Sequence, residues 1–107
     1  MRRAARVDRN HSEIMRAFRK LGFSVVDTSR MGQGFPDILI GYSGLCATVE
    51  IKDGKKSASR RRLTPAEQEF KDTWKGGVHL VESLDDVMIV AARLRKWHGA
   101  ISKDAMQ

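Results

Sequence analysis

Between Asp8 and Leu21 the apolar side chains Ile14, Ala17, Phe18 and Leu21 recur at i, i+3, i+4 and i+7. That spacing lays one stripe along a helix, and Gly22 directly after it predicts a stop in the left-handed conformation. A β-rich run over Phe23 to Asp27 predicts a first strand, and the two glycines between Ser29 and Phe35 predict a loop. Pro36 then opens a second strand over Asp37 to Tyr42, a position where its missing N–H is tolerated. Ser43 and Gly44 read as a two-residue hairpin turn, followed by a third strand over Leu45 to Lys52. Residues 53–63 are polar and basic and predict a mobile loop. Thr64, Pro65 and Glu67 spell a helix start: N-cap, proline at the first helical position and the partner of a capping box. This helix is expected to turn Phe70 and Trp74 inward and to end at Gly76 and Gly77. Val78 to Val81 predicts a fourth strand. Ser83 caps a last helix reaching about Trp97, with Asp85 and Asp86 in its first turn, where the helix dipole favours anions. The order αβββαβα describes an α/β domain with a central four-stranded sheet flanked by helices.

The chain has 107 residues, which suits one domain. Against 13 acidic residues stand 20 Lys and Arg, a net charge of +7, and the pI is about 10.1. So large a basic excess points to a polyanionic partner, nucleic acid first and an anionic membrane second. The membrane reading lacks the basic amphipathic helix it would need. Apolar residues recur throughout, which excludes a disordered tail protein. No apolar run approaches the ~20 residues of a membrane span. Cys46 is the single cysteine, so a disulfide scaffold is excluded. With five Met and no leader-like opening, the chain is expected in a reducing compartment, the cytoplasm. Residues 1–7 form an Arg-rich arm, expected to be disordered or to make a second contact through Arg2, Arg3 and Arg6, with Arg9 beyond it.

The chemistry concentrates in the hairpin. A two-residue turn at Ser43 and Gly44 sets Tyr42 opposite Leu45, Ile40 opposite Ala47, Ile38 opposite Val49 and Asp37 opposite Glu50. Alternation then places Ile38, Ile40, Ala47, Val49 and Ile51 on one wholly apolar face, and Asp37, Leu39, Thr48, Glu50 and Lys52 on the other. The register that builds the core therefore brings two carboxylates together. Directly opposed Cβ atoms lie ~4.5–5.5 Å apart, where like charges repel, so such a pair shares a proton or holds a cation. Oxygen donors suit Mg²⁺ or Mn²⁺, which keep several waters and accept phosphate oxygens. Lys52 points the same way as Glu50, and an ammonium there can stabilise an attacking hydroxide or charge growing on a phosphate. Metal and lysine together are the chemistry of phosphodiester hydrolysis. A bare Glu-x-Lys is most often a surface ion pair. The opposed Asp, the Gly-rich lead-in and the following basic run favour the catalytic reading. Gly32 and Gly34 either cradle a phosphate with backbone N–H groups or let the chain turn before Pro36.

Pro36-Asp37 followed by Glu50-x-Lys52 resembles the PD-(D/E)xK nuclease pattern. The lead-in Arg30-Met31-Gly32-Gln33-Gly34-Phe35, the later Thr64-Pro65-x-x-Gln68 and Glu13 on the opening helix resemble its virus-type replication-repair nuclease (VRR-NUC) branch, over about residues 10–82. The resemblance implies a restriction-endonuclease-like αβββαβ core with a mixed sheet. It implies Asp37 and Glu50 as metal-binding acids, the Ile51 carbonyl as a further ligand, and Lys52 acting on the nucleophilic water. Gln68 would orient that lysine or a phosphate, and Glu13 would join the metal site directly or through water. Stand-alone members of this branch, as found in phages, are similar to Holliday-junction resolvases and act as dimers.

Lys55, Lys56, Arg60, Arg61 and Arg62 follow the proposed catalytic strand and would grip phosphates, with strong salt dependence. No aromatic residue is interleaved with them, which favours shape recognition of duplex or branched DNA over a base-stacking platform. The last helix is apolar on two faces, through Leu84, Val87, Met88, Ile89, Val90, Ala91, Ala92 and Leu94, which predicts either a homodimer or a helix wedged into the chain's own sheet. The expectation is a metal-dependent endonuclease cutting branched DNA, a four-way junction first. Its rivals are a flap, nicking or restriction-like nuclease and a non-catalytic DNA-binding module.

Overall fold

A computed structural model describes residues 8–105 of the chain. Helix α1 spans His11–Lys20, strands β1 Ser24–Asp27, β2 Ile38–Tyr42 and β3 Leu45–Ile51, helix α2 Pro65–Thr73, strand β4 Val78–Val81 and helix α3 Leu84–Ala105. The sheet order is β1-β2-β3-β4. The first three strands are antiparallel, and β4 lies parallel to β3 at the edge, so the sheet is mixed. The Arg2, Arg3 and Arg6 arm lies outside the described residues.

Local chemistry accounts for the elements. Helix α1 ends with Gly22 N–H on the Arg19 carbonyl and Phe23 N–H on the Phe18 carbonyl at 3.1 Å. This is a Schellman close, sealed by the Phe18 and Phe23 rings edge to face at 5.6 Å. The hairpin turn carries φ +46° at Ser43 and +86° at Gly44. Positive φ at both central residues is what a type I′ turn requires, and its twist matches the flanking strands. The resulting register pairs Tyr42 with Leu45, Ile40 with Ala47 and Ile38 with Val49. Helix α2 opens with the complete capping box, Thr64 accepting from Glu67 N–H while the Glu67 side chain accepts from Thr64 N–H.

Helices α1 and α3 cover one face of the sheet. Ile14 and Phe18 from α1, Ile38, Ile40, Val49, Ile51 and Val81 from the strands, and Val87, Val90, Ala91 and Leu94 from α3 form the core. Truncating Phe18, which is fully buried, would cost about 3–5 kcal/mol. Helix α2 lies over the opposite face, where Thr48, Glu50, Val78 and Leu80 point. That cover leaves Glu50 only 3% exposed.

Two expectations change. Helix α3 runs eight residues past Trp97, to Ala105. Helix α2 buries none of its residues fully: Phe70 is half-buried and Trp74 is exposed, because the helix lies over one end of the sheet rather than in the core. Residues 53–63 connect β3 to α2 with little regular structure. They contain a 3-10 turn over Ala58–Arg61, with Arg61 on Glu82 and on the Lys56 carbonyl and Lys56 Nζ 3.1 Å from Asp8. Among the described residues no helix is long and apolar enough to cross a membrane.

Candidate active site

Asp37 is anchored before its side chain does anything. Its carbonyl accepts from Thr28 N–H, and the Thr28 hydroxyl donates to the buried Pro36 carbonyl at 2.7 Å. The loop 28–35 is thus pinned to the start of β2. Gly34 closes it at φ +78°, where a Cβ would collide with the Ala66 carbonyl of α2. The glycine is therefore needed for the loop to pass against the first turn of that helix.

The Asp37 carboxylate accepts the Ile51 N–H at 2.7 Å and is in hydrogen-bonding contact with the Glu50 carboxyl across the ladder. Burial raises the Asp37 carboxyl above its ordinary value, against the Ile51 N–H that favours its charge. Glu50 is pushed up to about 10 by burial first, then by hydrogen bonding to Glu67 and the charge of Asp37. In the absence of a cation, Glu50 keeps a proton at neutral pH and shares it with its acidic neighbours.

Lys52 continues the alternation. Its Nζ is 2.9 Å from Glu67 Oε1 and 3.7 Å from Glu50 Oε1, and it is 9% exposed. Burial works to lower the ammonium, but the hydrogen bond and charge of Glu67 overcome it, so its pKa lies above the ordinary lysine value. Glu67 is lowered: burial raises it, and hydrogen bonds from Glu50, Thr64 N–H and Lys52 outweigh that. The site is a row of alternating character, Asp37, protonated Glu50, then the Lys52–Glu67 ion pair.

Asp37, Glu50 and Lys52 therefore come together, with the Ile51 backbone beside them. Gln68 does not reach Lys52: it is exposed and donates to Asp72 at 2.8 Å, one turn along α2. The residue that holds the lysine is its neighbour Glu67, because the inward azimuth of α2 falls one residue earlier than the motif suggests. Glu13 is exposed on α1 and opens on a separate cavity of about 650 Å³, with Asn10, Asp53, Glu82 and Asp85 on its wall. Of the basic residues, Lys55, Arg60 and Arg62 are exposed, while Lys56 and Arg61 are tied to acidic partners. Glu67 is the site residue that sequence patterning did not find. Its only signal is the capping box, which is satisfied locally and says nothing of the sheet. His11 is a second: it is 5% exposed, with Nε2 3.4 Å from Asp27 and within electrostatic reach of Asp37.

Among the described residues no set of three or more His, Cys, Asp or Glu side chains gathers into a metal cage. The donor set is two carboxylates, and a hard cation that keeps most of its water accepts so few protein ligands. Comparison with protein-family models finds no match, and neither does comparison with curated proteins or with solved structures.

Proposed function

We propose that this protein is a Mg²⁺- or Mn²⁺-dependent endodeoxyribonuclease of the PD-(D/E)xK class, similar to VRR-NUC enzymes, that hydrolyses phosphodiesters in branched DNA. The observation that carries this reading is the contact of the Asp37 and Glu50 carboxyls on a covered sheet face, with Lys52 Nζ 3.7 Å from Glu50. A buried acid pair is costly unless a cation uses it, and such pairs with a fixed ammonium mark functional sites.

Asp37 and Glu50 would hold the ion. When bound, the ion supplies Lewis-acid activation of the phosphodiester and of a water. Glu50 gives up its proton on binding. Lys52 orients the water and offsets charge growing on the phosphate oxygens, and Glu67 positions the ammonium and keeps it charged. Lys55, Arg60 and Arg62 hold flanking phosphates. A homodimer is supported by Leu84, Met88 and Ile89, all about half-exposed on α3 beside the buried stripe of Val87, Val90 and Leu94. Two copies would present two such sites to a four-way junction in the cytoplasm.

Cleavage of a synthetic four-way junction tests this, with Mg²⁺, Mn²⁺ or EDTA and wild type beside Asp37→Asn. Nicks should need wild type and a divalent ion. Equal single-turnover rates on junction, flap and linear duplex would end the branched-DNA assignment, and no cleavage of any DNA with either ion would end the enzymatic one.

A further inference from the structure

Three aromatic rings lie in a row, Phe35, Phe70 and Trp74. Phe35 immediately precedes Pro36-Asp37, and its ring meets Phe70 at 5.2 Å and 67°. Phe70 stacks on Trp74 at 5.1 Å and 23°. Phe70, the middle ring, also lines the cleft whose other walls include Glu50, Glu67 and Lys71, so the row joins the candidate active site through Phe70. The outer end is open: Trp74 is 45% exposed. The indole is held in this pose. Phe70 covers one face, and Gly76 lies so close over the pyrrole ring that a Cβ there would be 2.7 Å from Nε1, 3.2 Å from Cε2 and 3.5 Å from Cδ1. Lys71, one turn earlier in the chain, and Lys75, the next residue, are both exposed.

A half-exposed tryptophan alone is unremarkable as surface chemistry. A packed indole backed by a second ring, with exposed lysines close by in the chain and continuous through Phe70 with the cleft of the proposed nuclease site, has the properties of a stacking shelf for a nucleobase. Every base has a π-face, so such a shelf takes an unstacked base without reading its identity. A continuous duplex offers none, since its bases are already stacked. A branch point does. We infer that Trp74, backed by Phe70 and Phe35, stacks an unpaired DNA base at a branch point and so sets which phosphate enters the Asp37–Glu50 site. The inference rests on the nuclease reading and names its substrate feature.

The test is tryptophan fluorescence and binding in EDTA, so that no cleavage is needed. In a Trp97→Phe background Trp74 is the single tryptophan. A splayed fork or a four-way junction should quench its emission, and a linear duplex of equal length should not. Trp74→Ala should weaken fork and junction binding about tenfold, in the range of base-on-aromatic stacking, and duplex binding less than twofold. Trp74→Phe should restore most of the loss. Equal loss on duplex and fork, or no quenching by the fork, would overturn the shelf. So would a change in the sedimentation of free Trp74→Ala relative to wild type, which would make the surface an interface between copies of this chain. The two readings fail separately. Fork-specific quenching in a protein that never cleaves with Mg²⁺ or Mn²⁺ removes the nuclease and leaves the shelf. Metal-dependent cleavage of forks at the wild-type rate by Trp74→Ala, without quenching in the parent, removes the shelf and leaves the nuclease.

Discussion

Replacing Glu50 by Gln should make the metal-free protein more stable at neutral pH while abolishing the proposed cleavage. Folding raises the Glu50 carboxyl from 4.5 to about 10, chiefly by burying it. Between those values the folded state binds a proton that the unfolded chain has released, so stability falls as pH rises through the window. From 4.5 to pH 7, at about 1.4 kcal/mol for each pH unit, the penalty is about 3 kcal/mol. Glutamine is neutral at every pH, keeps hydrogen-bonding capacity toward Asp37 and Glu67, and carries no such penalty. Thermal unfolding in EDTA should give superimposable curves for wild type and Glu50→Gln near pH 4.5. The variant's advantage should grow with pH, to about 10 °C or more at pH 7 for a domain this size. Adding Mg²⁺ should raise the wild-type midpoint by mass action and leave the variant unmoved. A variant less stable than wild type at pH 7, or an offset that does not change with pH, would refute the claim that burial and carboxylate crowding dominate at this site.

Glu67→Gln keeps the capping box, which accepts Gln as well as Glu, but removes the negative charge paired with Lys52. Its kcat on a four-way junction should fall about tenfold with KM nearly unchanged, whereas Gln68→Ala should stay within about twofold of wild type. Lys52→Ala should lower kcat by about 10²–10⁴, the usual range for a group acting on the proton or charge of the transition state. Gly34→Ala places a Cβ against the Ala66 carbonyl at positive φ, and urea unfolding should show a loss of about 3 kcal/mol or more. Replacing Lys55, Arg60 and Arg62 together by Ala should reduce the slope of log affinity against log salt by about 3, read by titrating junction DNA at several salt concentrations.

The order of elements and the hairpin register are local matters, and the amino-acid order settles them. Ser43 and Gly44 adopt the two positive φ values that a tight turn needs, and once the turn is set, side-chain alternation puts Asp37 and Glu50 on one face. The Thr64–Glu67 capping box is legible for the same reason: all of its partners lie within one helical turn. What only the tertiary structure decided is how α2 sits on the sheet. A rotation of one residue, about 100° around the helix axis, separates a helix that aims Gln68 at Lys52 from one that aims Glu67 there. That angle is set by packing beyond the helix itself, where Phe70 meets the ring of Phe35 and shares a cleft with Leu80 of β4. The same placement gathers Phe35, Phe70 and Trp74 into one row that meets the acid cleft at Phe70, although no aromatic stands between Lys55 and Arg62. It also leaves Glu13 on a different cavity, because α1 lies on the opposite face of the sheet. Short-range sterics and hydrogen bonds are written in neighbouring residues, while the azimuth of a helix against a sheet is written in the sum of contacts on both.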